Sequence, residues 1–288
     1  MLFPMFKVIC EPSLCFLCAE ENRGHSLPLI ECHILNRPVW DALSTRQSQF
    51  AVGGDLARRF SPDIGPLASA RGDTPESLSA LAELVPADGN IILLQADPIK
   101  LPPGIIAVET AFGVQMVLDR LVPSNSEIDN RIEPLGDKDL TEMVALAKLT
   151  KPGPFETGTP RLSQFWGIKE KGRLAAMAGE RMKHIGHSEI SGVCSHPDFR
   201  GRGFARALSA AVAKKIIARG EVPTSTPTPK ILRPSVFMNH LGFKSDARCM
   251  PPFSPARNPG NLDLVPSQRF PIGAGRGSRG LSLGAFCR

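Results

Sequence analysis

Between a strand that ends near Cys194 and a helix that opens at Phe204, the chain runs Ser195-His-Pro-Asp-Phe-Arg-Gly-Arg-Gly203. Glycines on either side of an arginine let successive backbone N–H groups turn toward one point. A helix N-terminus adds its own unpaired donors. Such a loop, Arg200-Gly-Arg-Gly-Phe-Ala205, can hold a pyrophosphate. A tight turn with two solvated arginines would have the same composition, so the loop alone leaves both readings open. Two carboxylates on nearby strands, Glu180 and Glu189, could accept a proton through water, although a strand carboxylate is more often simply solvated.

The surrounding elements must position these groups. Phe165-Trp-Gly-Ile-Lys169 and Arg173-Leu-Ala-Ala-Met-Ala-Gly-Glu180 read as strands joined by a Gly-containing hairpin turn at Glu170-Lys-Gly172. Ser188–Cys194 reads as a third strand, and Gly220 ends the helix that begins at Phe204. Upstream, Asp137–Ala147 is an amphipathic helix after a strand at Ile132–Leu135. Thr74-Pro-Glu-Ser-Leu opens another helix, with Thr74 as N-cap and Pro75 at the first helical position. Ile91–Gln95 has the continuous apolar run of a buried strand. A helix is expected within Asp41–Arg59, and a strand followed by a short helix within Val108–Leu121. Residues 123–130 have a linker's composition, and residues 1–32, Cys- and Phe-rich without helical period, read as an extension outside the fold.

The longer string Val193-Cys-Ser-His-Pro-Asp-Phe-Arg-Gly-Arg-Gly-Phe-Ala205 resembles the acetyl-CoA signature of the GNAT superfamily of N-acetyltransferases. Arg200, Gly203 and Ala205 fall on its three defining positions, and the preceding hairpin matches in order and length. The resemblance covers roughly 131–220, with 33–122 similar to the N-terminal half of one branch. It implies an α/β (α+β) fold: a mixed, mostly antiparallel sheet flanked by helices, after a smaller α/β N-terminal half. It implies acetyl-CoA as co-substrate, held by Val193, Cys194, Ser195, Arg200, Gly201, Arg202, Gly203, Phe204 and Ala205. The acceptor would be a primary amine, on a small molecule or a peptide, attacking the thioester directly. His196 would hold the loop rather than do chemistry.

After Pro223 the pattern breaks. The family calls for a strand, an Asn-containing loop and a helix ending in a Tyr-bearing motif, the tyrosine being the usual general acid. This chain has no tyrosine, and Thr224–Asn239 carries three prolines, which a central strand and helix cannot absorb. Shifting the codons by one frame lets that segment read Leu-His-Thr-Tyr-Ala-Glu-Asn-Thr-Pro-Ala-Ile-Gly-Leu-Tyr-Glu, the missing motif. The Met238-Asn239 codons force its last glutamate. Residues 224–239 and those after about Lys244 are therefore expected to be out of frame and poorly ordered. The domain would span 131–257 and be followed by an unstructured Arg/Gly/Pro-rich tail at 258–288. A catalytically impaired CoA-binding relative is the alternative to an active enzyme.

Charge and composition narrow the partners. Of the net +6, +4 lies between Met250 and Arg288, so the fold itself is nearly neutral and nucleic acid is not expected. The tail's Arg-Gly repeats carry only Phe270 and Phe286 as aromatics, which argues further against RNA. Cys15-Phe-Leu-Cys18 has half a zinc-site spacing, but only His25, Cys32 and His33 are available to complete it, so no metal is expected. No apolar run approaches the roughly eighteen residues of a membrane span. Pro4, Glu11 and Pro12 interrupt the only signal-like stretch, which favours a reduced, cytoplasmic protein.

Overall fold

The structure, a computed structural model, describes residues 34–87, 89–102, 104–122, 126–226, 241–245 and 280–287, the last of these as backbone only. The N-terminal extension and its cysteine cluster lie outside the described residues. Two sheets organise the rest. The first has the order β1 (Ala51–Gly53), β2 (Ala57–Phe60), β3 (Leu67–Ala70), β4 (Asn90–Gln95), β13 (Gly280–Cys287) and β5 (Ile106–Val114). Two helices serve it, α1 (Pro38–Ser44) and α2 (Pro75–Glu83). As its sequence predicts, α2 starts at Thr74, whose hydroxyl accepts from the Ser77 N–H, with Pro75 in the first turn.

The second sheet has the order β12 (Phe243–Ser245), β6 (Met116–Leu118), β11 (Val222–Ser225), β10 (His187–Ser195), β9 (Arg173–His184), β8 (Trp166–Glu170) and β7 (Glu133–Pro134). It is antiparallel except for β10 against β11. Helix α5 (Phe204–Ala218) covers one face, burying Phe204, Leu208, Val212 and Ile216 against Ala176, Ala178 and Ile190. Helix α4 (Leu140–Thr150) covers the other, with Met143 and Leu146 against Phe155, Phe165 and Met177. The 2-residue alternation along β9 thus feeds two cores at once. Helix α1 joins the sheets, placing Val39 and Leu43 among Phe60, Leu67 and, from β9, Met182.

Several expectations need correction. Asp41–Arg59 is helical only as far as Ser44. Gly53, at φ +118°, and Gly54 turn the chain so that β1 pairs with β2, a conformation no helix tolerates. Val108–Leu121 contains no helix: after β5, Met116–Leu118 crosses into the second sheet between β11 and β12, where Met116 is fully buried. The linker contains a helical turn, α3 (Ser126–Asp129), docked on α5 through Ile128 and an Asp129–Lys214 ion pair of 3.2 Å.

The expectation of poor order from 224 onward is not met at its first two residues. Thr224 and Ser225 finish β11, hydrogen-bonded to β6, and both are buried. Pro223 is tolerated because β6 pairs with β11 only from Thr224 onward. Residues 227–240 lie outside the described residues. In the tail, Gly280–Cys287 forms a strand parallel to both β4 and β5, at odds with an unstructured 258–288. An apolar stretch that lies between two strand edges can satisfy the backbone groups of both.

Candidate active site

The candidate site lies where β10 and β11 part. They run parallel only from His187/Val222 to Glu189/Thr224; from there β11 pairs with β6 on its other side. The remainder of β10, Ile190–Ser195, keeps its β9 partners but has no parallel partner among the described residues. Register shifts mark irregularities in this stretch, and Gly192 adopts φ +63°. A side chain at Gly192 or Gly179 would strike the Phe165 ring, which stands edge-on to Phe155 at 5.4 Å. The bulged strand therefore has a rigid aromatic floor on the α4 face.

Val193 is half-buried against the α5 core, Cys194 is buried, and Ser195 leads into the loop. Burial pushes the Cys194 thiol up to about 11, so it serves as packing rather than as a nucleophile. His196 performs the structural role expected of it. Its N–H donates to the Ala175 carbonyl (2.8 Å), and its Nδ1 accepts from the Asp198 N–H (3.2 Å), capping a single 3-10 turn at Pro197–Phe199.

The loop then makes two left-handed steps, at Gly201 and Gly203, both at φ +78°. A Cβ on Gly201 would meet nothing, and α5 starts at Gly203 with no side chain capping its N–H groups. An open cradle with unpaired helix donors fits a phosphate. Arg200, Arg202 and Arg206 are exposed around it, and Arg202 stacks over the Phe199 ring at 5.3 Å. Arg131, bonded to Glu170 at 2.5 Å, lies over the Phe204 ring at 5.1 Å and braces the start of α5. That bond holds the Glu170 carboxyl below its ordinary range.

The two candidate bases occupy opposite faces of the sheet, and each is already paired. Glu180 lies on the α5 face and accepts from Arg219 Nη2 at 2.7 Å. Arg219 also holds Glu221, which Ser188 (2.6 Å) and Arg46 (2.9 Å) reach as well. Burial works against the Glu221 charge, but these bonds win and its carboxyl stays below the usual range. Glu189 lies on the α4 face, 2% exposed, in a bidentate pair with Arg181: Nε to Oε2 at 3.0 Å and Nη2 to Oε1 at 2.8 Å. Of the two, only Glu189 stands at the point where the strands part. Sequence reading passed over Arg181, although the turn at Ile185-Gly186 sets it across the hairpin from Glu189 and so made the pair legible.

Residues 165–250 match the family model described as FR47-like protein. An acetyltransferase of the GNAT family from Novosphingobium aromaticivorans is 41% identical over 74% of this chain and 94% of its own, with a TM-score of 0.69. The chain belongs to the GNAT family. It is therefore an acyltransferase by family, with the α/β fold expected of one. A GCN5-related N-acetyltransferase from Kribbella flavida is 14% identical over 71% of this GNAT chain and 91% of its own (TM-score 0.47). The ribosomal-protein-S18-alanine N-acetyltransferase of Escherichia coli is 19% identical over 31% and 60% (TM-score 0.28). No curated protein matches the chain. Among the described residues, no group of His, Cys, Asp or Glu could hold a metal, and no helix is long and apolar enough to cross a membrane.

Proposed function

We propose that the protein transfers an acetyl group from acetyl-CoA to a primary amine by direct attack within a ternary complex. The observation that carries this reading is the continuity of two features: a strand edge that, among the described residues, has no parallel partner beyond Glu189, and a helix N-terminus behind Gly203 without a side-chain cap. Pantetheine would lie along Ile190–Ser195, bonding to backbone that β11 leaves free. The pyrophosphate would take the N–H groups from Gly201 to Ala205, with Arg200 and Arg202 screening its charge.

The acceptor ammonium must lose a proton before its nitrogen can attack; the C–N bond then forms as the C–S bond breaks, and the leaving thiolate takes up a proton. Glu189, at the parting of the strands, is placed to take the first proton through water. Positioning both reactants in one cleft supplies much of the acceleration. Isothermal titration with acetyl-CoA, followed by a thiol-release assay over a panel of amines, tests this: binding with turnover supports it, and absence of binding rejects it.

A second reading is favoured by the absence of any tyrosine in the chain, since the GNAT pattern places its general acid there. On this reading the protein binds CoA without turning over. Tight binding with no thiol released from any amine would select it.

A further inference from the structure

We infer that the crevice between α3, α5 and β8 is a second ligand site, which takes a small monocarboxylate with an apolar body, an aromatic acid being the type case. It is lined by Asp129, Ile132, Trp166, Ala211, Lys214 and Lys215. None of these lies within 189–206, so the crevice is separate from the cleft and the phosphate cradle described above.

Three local features build it. On α5, Ala211, Lys214 and Lys215 are spaced i, i+3 and i+4 and therefore share one helix face. Just after α3, the Ile132 N–H donates to the Asp129 carbonyl at 3.2 Å, which folds Ile132 back beside Asp129. Trp166 enters from β8, held in register by Pro134 on one side and Ala178 on the other. Ile132 and Trp166 pack half-buried against the α5 core, so the floor is apolar and anchored. Ala211 contributes only a methyl group, and about 240 Å³ of free space remains. An apolar cavity of roughly 150 Å³ takes a benzene molecule, so a ring bearing a carboxylate has room here.

Charge selects the ligand. Lys214 is committed to Asp129, with Nζ 3.2 Å from Oδ2. Lys215 makes no hydrogen bond or ion pair among the described residues, and its Nζ lies 3.8 Å from the centroid of the Trp166 ring. An ammonium has three N–H donors, and an aromatic face attracts it without cancelling its charge. The crevice therefore carries one uncompensated positive charge beside an apolar floor. A carboxylate bonded to Lys215, with its apolar body against Ile132 and Ala211, answers both. A second carboxylate on the ligand would approach Asp129, and an amine would add a third cation to Lys214 and Lys215.

The test is isothermal titration of the full chain with benzoate, benzamide and benzylamine. Benzoate is expected to bind at least about fivefold more tightly than benzamide, because a hydrogen bond between charged partners is stronger than a neutral one. Benzylamine should not bind. Lys215→Met keeps an unbranched chain beside Trp166 without the charge, and should bring the benzoate-to-benzamide ratio to near unity. Ala211→Leu fills the floor and should abolish binding of both. Lys215 is exposed and Ala211 half-buried, and both replacements suit a helix; circular dichroism verifies that the variants fold. Saturating acetyl-CoA should leave the benzoate affinity unchanged. Equal binding of benzoate and benzamide, no binding of benzoate, its displacement by acetyl-CoA, or an affinity unaltered in either variant overturns the inference.

Discussion

Ile128, in the segment that joins the two halves of the chain, sets its Cδ1 3.5 Å from where a Cβ on Gly203 would stand. The connecting turn therefore backs the phosphate cradle and fixes how closely its backbone can be approached. Gly203→Ala would force an alanine to φ +78°, at a cost of about 1–2 kcal/mol, although its Cβ would make only ordinary contact with Ile128. The expected result is a folded protein whose Kd for acetyl-CoA rises about tenfold, read by calorimetry.

Gly242 is a harder constraint. It adopts φ +94°, and a Cβ there would lie 1.7 Å from the Arg120 carbonyl oxygen, while its own carbonyl accepts from the Asp119 N–H at 3.1 Å. Neither backbone can give way without breaking β12 from β6. Gly242→Ala is expected to destabilise the fold by at least about 3 kcal/mol, seen as a lowered urea midpoint, and Phe243 would lose its place in the α5 core.

Stability should depend on pH through Asp139 and Lys169. Asp139 accepts from Lys169 Nζ at 2.7 Å and from the Gly136 N–H at 2.8 Å. The Lys169 bond holds the Asp139 carboxyl below its ordinary range, and the same bond raises Lys169. A depressed carboxylate stabilises the fold above its unfolded value of about 3.9, and that contribution is lost as pH falls through the lower folded value. A raised lysine contributes below its unfolded value of about 10.4 and ceases to do so as pH rises through the folded one. Lys169→Met should flatten the acid limb of a urea-midpoint profile while leaving Asp139 bonded to Gly136.

Cys194 should resist alkylation. With its thiol pushed up to about 11, folded protein at pH 8 presents little thiolate there. Iodoacetamide labelling, mapped by mass spectrometry, is expected to be on the order of a hundredfold slower at Cys194 than in urea. Fast labelling in the folded protein would mean that β10 opens readily.

Leu241 and Phe243 sit in the core in the order the GNAT pattern requires, whereas the segment before them carries three prolines and no tyrosine. Sequencing the gene and transcript across the codons for Gly220–Arg288 is expected to reveal one- or two-base differences that restore the tyrosine-bearing motif. An unchanged sequence would instead support the non-catalytic reading.

Short-range chemistry was legible without a structure. Thr74 caps α2, Gly172 turns the β8–β9 hairpin, His196 ties down its own loop, and the glycines at 201 and 203 open α5, because each depends on neighbours a few residues away. Tertiary contact decided the rest. Gly53 and Gly54 turn the later part of Asp41–Arg59 into the β1–β2 hairpin because β2 finds β3, and Met116 leaves its own half because β11 needs a second neighbour. The Arg181–Glu189 pair follows from the β9–β10 hairpin, but that Arg219 at the end of α5 claims Glu180, and that the strands part at Glu189, did not show in the sequence. Local pattern determines which backbone shapes the chain can take. That Arg219 claims Glu180, and that the strands part at Glu189, depends on contacts formed only when distant segments pack.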